Sequence, residues 1–165
     1  MTAAGTKPAK SGKAKSGARS AARLAAVQAL YQVQLADQPT ESVLSEFIDH
    51  RFRAGDAETG VAAADVDMFC DIVRSVLARK ADLEPLIANS LASSWRFERL
   101  DKVMQALLLS GAYELVARPD VPTAVIINEY VDLAHAFFED EQAKFAHAVL
   151  DKVGREVRAN PAQSD

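Results

Sequence analysis

Arg19 and Arg23 stand four residues apart, a spacing that sets two side chains one turn apart on the same face of a helix. Guanidinium groups in that arrangement grip phosphate through paired N–H donors. Gln28 and Tyr31 follow at five and then three residues, so a hydrogen-bonding strip can continue along the same helix. Near the other end of the chain, Lys144 precedes Phe145. A lysine beside an aromatic ring offers a phosphate contact next to a stacking face for an unpaired base. On spacing alone, Tyr31 and Phe145 read as core aromatics, because aromatic rings at helical spacing are ordinarily buried.

Other chemistries find less support. His135 and Glu139 are spaced i, i+4, with Asp140, Glu141 and His147 nearby, which is the raw material of a metal site. Charged helices offer such pairs on any solvated face, and that is the reading preferred for these residues. His50 has no constellation around it, and Ser110-Gly111 lacks the strand–turn context of a nucleophile. There is no phosphate loop, dinucleotide fingerprint or paired-cysteine motif. The sequence therefore predicts no enzyme, no metal and no cofactor.

The charge is unevenly placed. Residues 1–36 carry Lys7, Lys10, Lys13, Lys15, Arg19 and Arg23 and no acid, while the rest of the chain carries 13 basic and 23 acidic side chains, or −10. A basic arm on an acidic body suits polyanion contact, although a lysine-rich tail read by itself is a solubility device. Cys70 is the single cysteine, so no disulfide framework exists. No apolar run approaches the roughly 20 residues of a membrane span, and the broken segment after the basic N-terminus makes a poor signal peptide. These features predict a cytoplasmic protein with no membrane partner.

The elements that must position these residues are helices. Residues 1–17 contain no large apolar side chain and read as a disordered basic arm. Leu24, Val27, Leu30, Tyr31 and Leu35 predict a helix over 18–36, ended by Asp37, Gln38 and Pro39. Thr40 is the expected cap of a second helix to about Phe52, followed by a loop at 54–60. A third helix is expected over 64–80. A fourth follows it, capped by Asp82 and with Pro85 in its first turn. The fifth, 97–117, carries a broad apolar stripe and reads as the central helix, with Gly111 allowing close helix approach. Thr123 is the expected cap of a sixth helix to about Phe138, and a seventh runs over 141–158. The fold class is all-α: a compact single-domain bundle of about seven helices over 18–158, with a flexible tail at 159–165.

Three segments in order resemble the NusB family: ARLAAVQALYQVQL (22–35), AYELVARPDVPTAVIINEYVDLA (112–134) and KFAHAVLDKV (144–153). They are similar to that family's Gln-Ala-Leu-Tyr opening helix, its Tyr-Glu-Leu, Asp-Val-Pro and Ile-Asn-Glu signature, and its Lys-Phe-Val-Asn-Gly-Val-Leu-Asp closing segment. Leu24, Leu109, Ser110-Gly111 and His147-Ala148 depart from the family pattern. The resemblance implies a non-enzymatic transcription antitermination factor. It would bind boxA RNA together with NusE, a small-subunit ribosomal protein, and act on the RNA polymerase elongation complex with other Nus factors in ribosomal RNA operons. It also implies an RNA surface through Arg19, Arg23, Gln28, Tyr31, Arg118, Lys144 and Phe145, which some family members cover by forming a homodimer.

The competing reading is a helical protein–protein adaptor without RNA binding. An enzyme of the ribosomal RNA methyltransferase type, some of which begin with a similar helical domain, would need a cofactor-binding domain and a Gly-rich loop, and the chain has neither.

Overall fold

A computed structural model describes residues 8–52 and 65–159. The described residues form seven α-helices and no strand: α1 Pro8–Ala36, α2 Thr40–Phe47, α3 Val66–Ala78, α4 Lys80–Ala88, α5 Lys102–Ala117, α6 Thr123–Phe137 and α7 Asp140–Arg158. A π-helical turn, Ile48–Phe52, extends α2, and a 3₁₀ turn, Phe97–Arg99, precedes α5. The all-α expectation holds. Residues 1–7 of the expected arm, the expected loop at 54–60 and the tail from residue 160 lie outside the described residues.

Helix α5 is the axis of the bundle and packs against α1, α3, α4, α6 and α7. Every residue from Met104 to Leu115 is buried, so α5 is enclosed all round and has no solvent face opposite its apolar stripe. Each fully buried leucine, such as Leu107 or Leu108, contributes about 2 kcal/mol of burial free energy. Enclosure demands partners for the polar residues of α5. Gln105 donates to the Leu100 carbonyl at 2.9 Å and Ser110 to the Ala106 carbonyl at 2.8 Å. Gly111 does allow close approach: a Cβ there would sit 2.9 Å from Leu150 Cδ2 of α7 and 3.5 Å from Tyr130 Cδ2 of α6.

Several boundaries differ from expectation, each for a local reason. Helix α1 starts at Pro8, not at 18. Its packed half supplies the costly nucleus, from which the helix runs outward through Ala and Lys positions despite the lower propensity of Gly12 and Gly17, and proline fits the first position, where no N–H is needed. Thr40 and Thr123 are first helical residues, not caps; Pro39 and Pro122 hold the cap positions, with φ −59° at each. Helix α4 leaves α3 directly after Arg79, so Asp82 lies inside its first turn and Pro85 lies in its interior. Helix α5 starts at Lys102 because Asp101 restarts the chain, accepting from the backbone N–H of Val103 at 2.8 Å. At the end of α1, Asp37 adopts φ 51°, a left-handed stop that aspartate tolerates.

Candidate nucleic-acid interface

Helix α1 carries four of the expected site residues, and packing sorts them. Four residues turn a helix about 40° past a full revolution, which is enough to separate the two arginines. Arg19 is exposed. Arg23 is 4% exposed and faces α5. Its Nε and Nη2 donate to the two carboxylate oxygens of Glu114 at 2.8 and 3.0 Å. Its Nη1 lies 3.6 Å from Glu129, which also accepts from the Ser20 hydroxyl at 2.9 Å. The surface position expected of Arg23 is thus corrected: its donors are engaged inside the protein, since a buried Glu114 without a cation would carry a large desolvation penalty.

The same carboxylate gathers more groups. The Tyr130 hydroxyl donates to Glu114 Oε2. Burial, reinforced by the Glu114 charge, pushes the Tyr130 phenol well above its ordinary range. For Arg23, burial opposes the charged form, but hydrogen bonding and attraction from Glu114 outweigh it and hold its pKa above the usual value.

Arg118, at the end of α5, is half-buried. Its Nη2 donates to Asp71 Oδ2 of α3 at 3.0 Å, and the Tyr113 hydroxyl donates to the same oxygen at 2.9 Å. Arg19, Arg23 and Arg118 share one cleft of about 370 Å³ with Asp65, Asp120 and Glu129. Arg19 and the partly exposed Arg118 are the arginines there with surface to offer, and they can place two guanidinium groups on one phosphate-bearing strand.

Gln28 and Tyr31 lie further along α1 and are half-buried. The Gln28 side-chain oxygen accepts from Arg51. This bond ties the π-helical turn to α1, while Arg51 also lies over the Phe47 ring of α2 at 4.9 Å. Lys144 is exposed on α7. Phe145 is half-buried and lines a second cleft, of about 440 Å³, with its ring 5.2 Å from that of Trp95. The structure thus brings Arg19 and Arg118 together, and sets Phe145 in a separate cleft.

Two residues escaped the sequence reading. Arg158 closes α7 by donating to the carbonyls of Leu115, Arg118 and Val121 and to Thr123 Oγ1, at 2.7 to 3.0 Å. It satisfies carbonyls at the end of α5 and fixes the turn that bears Arg118. No pattern in the sequence points to this, because its partners, three of them backbone carbonyls, lie 35–43 residues away. Trp95 had a signal, an isolated aromatic in the polar stretch SSWR outside any apolar helical pattern.

His135 Nδ1 lies 3.6 Å from Asp140 on the surface. Among the described residues no group of three or more His, Cys, Asp or Glu side chains is placed to hold a metal ion, and no helix is long and apolar enough to cross a membrane.

Comparison with known proteins gives a consistent picture. The NusB family model matches residues 20–155. The chain is 49% identical over 140 residues to the transcription antitermination protein NusB of Sphingopyxis alaskensis, covering 85% of this chain and 94% of that protein. It is 46% identical over 140 residues to the protein of the same name from Caulobacter vibrioides, with the same coverage of each, 85% and 94%. Among solved structures, T. maritima NusB superposes with a TM-score of 0.70 at 26% identity, covering 84% of this chain and 91% of that one. A chain from the crystal structure of antitermination factors NusB and NusE in complex with dsRNA shares the fold, with a TM-score of 0.67 at 19% identity over 83% of this chain and 96% of that one.

Proposed function

The chain belongs to the NusB family, and we propose that it is an RNA-binding transcription antitermination factor that engages boxA RNA together with NusE. The observation that carries this reading is the match to antitermination proteins at up to 49% identity across nearly the whole helical body. The solved NusB–NusE–dsRNA complex, which has the same fold, supports the choice of partners.

Arg19 and Arg118 serve as phosphate contacts from one cleft, and Gln28, Tyr31, Lys144 and Phe145 add hydrogen-bonding and stacking groups. Arg23 is a positioning residue that holds α1 against α5 and so presents Arg19. The protein acts in the cytoplasm on the RNA polymerase elongation complex with other Nus factors, placing RNA and NusE together on it, and a homodimer would cover the same surface. Two linked contacts share one ordering cost, so affinity for RNA rises when NusE is present.

The test is binding of the intact protein to single-stranded boxA RNA and to a scrambled control, with and without NusE, across a salt series. Preference for boxA that is strengthened by NusE and weakened by salt is expected, with a slope of about −0.7 per phosphate contacted. Equal, weak binding to both RNAs in every condition would overturn the proposal and favour an adaptor without RNA binding.

A further inference from the structure

Trp95 is the chain's single tryptophan and is 52% exposed, although large aromatic rings in this protein are otherwise mostly packed away. It lies between α4 and α5, held by its backbone N–H bond to the Ala92 carbonyl at 2.9 Å. Its ring meets Phe145 of α7 at a 5.2 Å centroid distance and a 48° tilt, so the two rings form an open angle and do not bury one another. The cleft they wall, about 440 Å³, is floored by Met104 and Phe138 and carries Arg99, Glu141, Gln142 and Asp101, whose carboxylate is engaged in accepting from the Val103 and Met104 N–H groups at the start of α5. Arg99 in its lining, and Arg96 and Lys144, the chain neighbours of Trp95 and Phe145, are exposed cations with no carboxylate partner among the described residues.

A ring-walled cleft with the hydrogen-bonding groups of Arg99, Glu141 and Gln142 in its lining, and an exposed cation next in the chain to each ring, suits a flat, polar-edged, phosphate-linked ligand. An aliphatic side chain from a protein would leave the rim groups unmatched. We propose that Trp95 is a base-stacking residue: with Phe145 it forms a two-ring wall that receives one unpaired nucleobase of the bound RNA, while Arg99 and Lys144 meet the flanking phosphates. This rests on the RNA-binding reading above and adds to it a residue outside the three motif segments 22–35, 112–134 and 144–153. Stacking tolerates any base, so Trp95 strengthens binding, and Gln142 supplies a group able to discriminate among base edges.

Because the protein has one tryptophan, its native fluorescence reports on this cleft alone. Unlabelled single-stranded boxA RNA is titrated into the intact protein while Trp95 emission is followed. In parallel, end-labelled RNA is followed by anisotropy with wild type, Trp95→Phe and Trp95→Ala, and folding of each is checked by circular dichroism. Quenching that saturates with the anisotropy change is expected, with about tenfold weaker RNA binding for Trp95→Ala and binding within about twofold of wild type for Trp95→Phe. Normal RNA binding with unchanged emission and an inert Trp95→Ala would overturn the stacking role while leaving RNA binding intact. Quenching by NusE alone, and none on adding RNA, would assign the cleft to the protein partner and equally overturn it. Absence of RNA binding by anisotropy, with and without NusE, would remove the RNA-binding reading and this inference with it.

Discussion

Arg23 and Glu114 meet through two parallel hydrogen bonds of 2.8 and 3.0 Å, with the carboxylate side chain fully enclosed. The pair joins α1 to α5 at a point where neither charge could stand alone, and Tyr130 and Glu129 bring α6 into the same cluster. An arginine that looks from the sequence like a surface cation is therefore part of what holds the bundle together.

Replacing Arg23 by Met should destabilise the fold by about 3–5 kcal/mol, because it leaves the Glu114 carboxylate buried without its cation. Arg23→Lys should also lose much of this, since an ammonium cannot reproduce the two-pronged contact. Urea unfolding followed by circular dichroism measures both, and an unchanged midpoint for Arg23→Met would show that the pair contributes nothing.

Arg19→Ala should leave the unfolding midpoint within about 0.5 kcal/mol of wild type, as expected for an exposed side chain. It should reduce the salt slope of RNA binding by about 0.7, the loss of one phosphate contact on a single strand. The opposite pattern, lost stability with an unaltered slope, would place Arg19 in the scaffold and not at the interface.

Arg158→Ala should cost about 2–3 kcal/mol, because charged hydrogen bonds to three carbonyls and a hydroxyl vanish together. Amide hydrogen exchange should quicken in the turn between α5 and α6 before it quickens elsewhere. Uniform exchange across the molecule would mean that Arg158 does not hold that turn in particular.

Gly111→Ala pits helix propensity against packing. Alanine gains about 1 kcal/mol over glycine within a helix, yet the added Cβ would lie 2.9 Å from Leu150 Cδ2 in an enclosed core. Overpacking costs about 1–3 kcal/mol, so a net loss is expected. Pairing it with Leu150→Ala should cost less than the two single changes summed, and simple additivity in that double-mutant cycle would show that the two sites do not touch energetically.

Stability should fall as pH rises above about 10, the ordinary tyrosine value. The folded-state phenol of Tyr130 stays protonated past that point while the unfolded chain releases its proton, so unfolding is favoured increasingly until the raised folded pKa is reached. Tyr113 is also raised, first by burial, and adds to the same fall. In Tyr130→Phe the decline between pH 10 and 11 should be shallower than in wild type; equal slopes would mean that Tyr130 titrates alike in both states.

Helix content was legible in the sequence because helical periodicity is a local property, written in Leu24, Val27, Leu30 and their counterparts along each segment. The role of Gly111 was also legible, since a glycine within an apolar helix has few uses besides close packing. The wrong boundaries at Thr40 and Thr123 share one cause: the sequence shows residues able to cap, and the chain's path puts Pro39 and Pro122 in those positions instead. At Phe97 the apolar stripe runs on through a 3₁₀ turn, and the helix proper starts only after the Asp101 cap.

By itself, the sequence determined the class of the protein, its basic-arm and acidic-body asymmetry, and the family to which its three ordered motifs point, because composition, period and motif order survive without coordinates. Only the tertiary structure decided which cations are free. Arg19 and Arg23 are identical in type and share a helix, yet one faces solvent and the other meets Glu114, 91 residues away. The same holds for Arg158 of α7, bonded to carbonyls at the end of α5, and for Trp95 beside Phe145. Exposure and partnership depend on what long-range packing places around a side chain, and no local pattern records that.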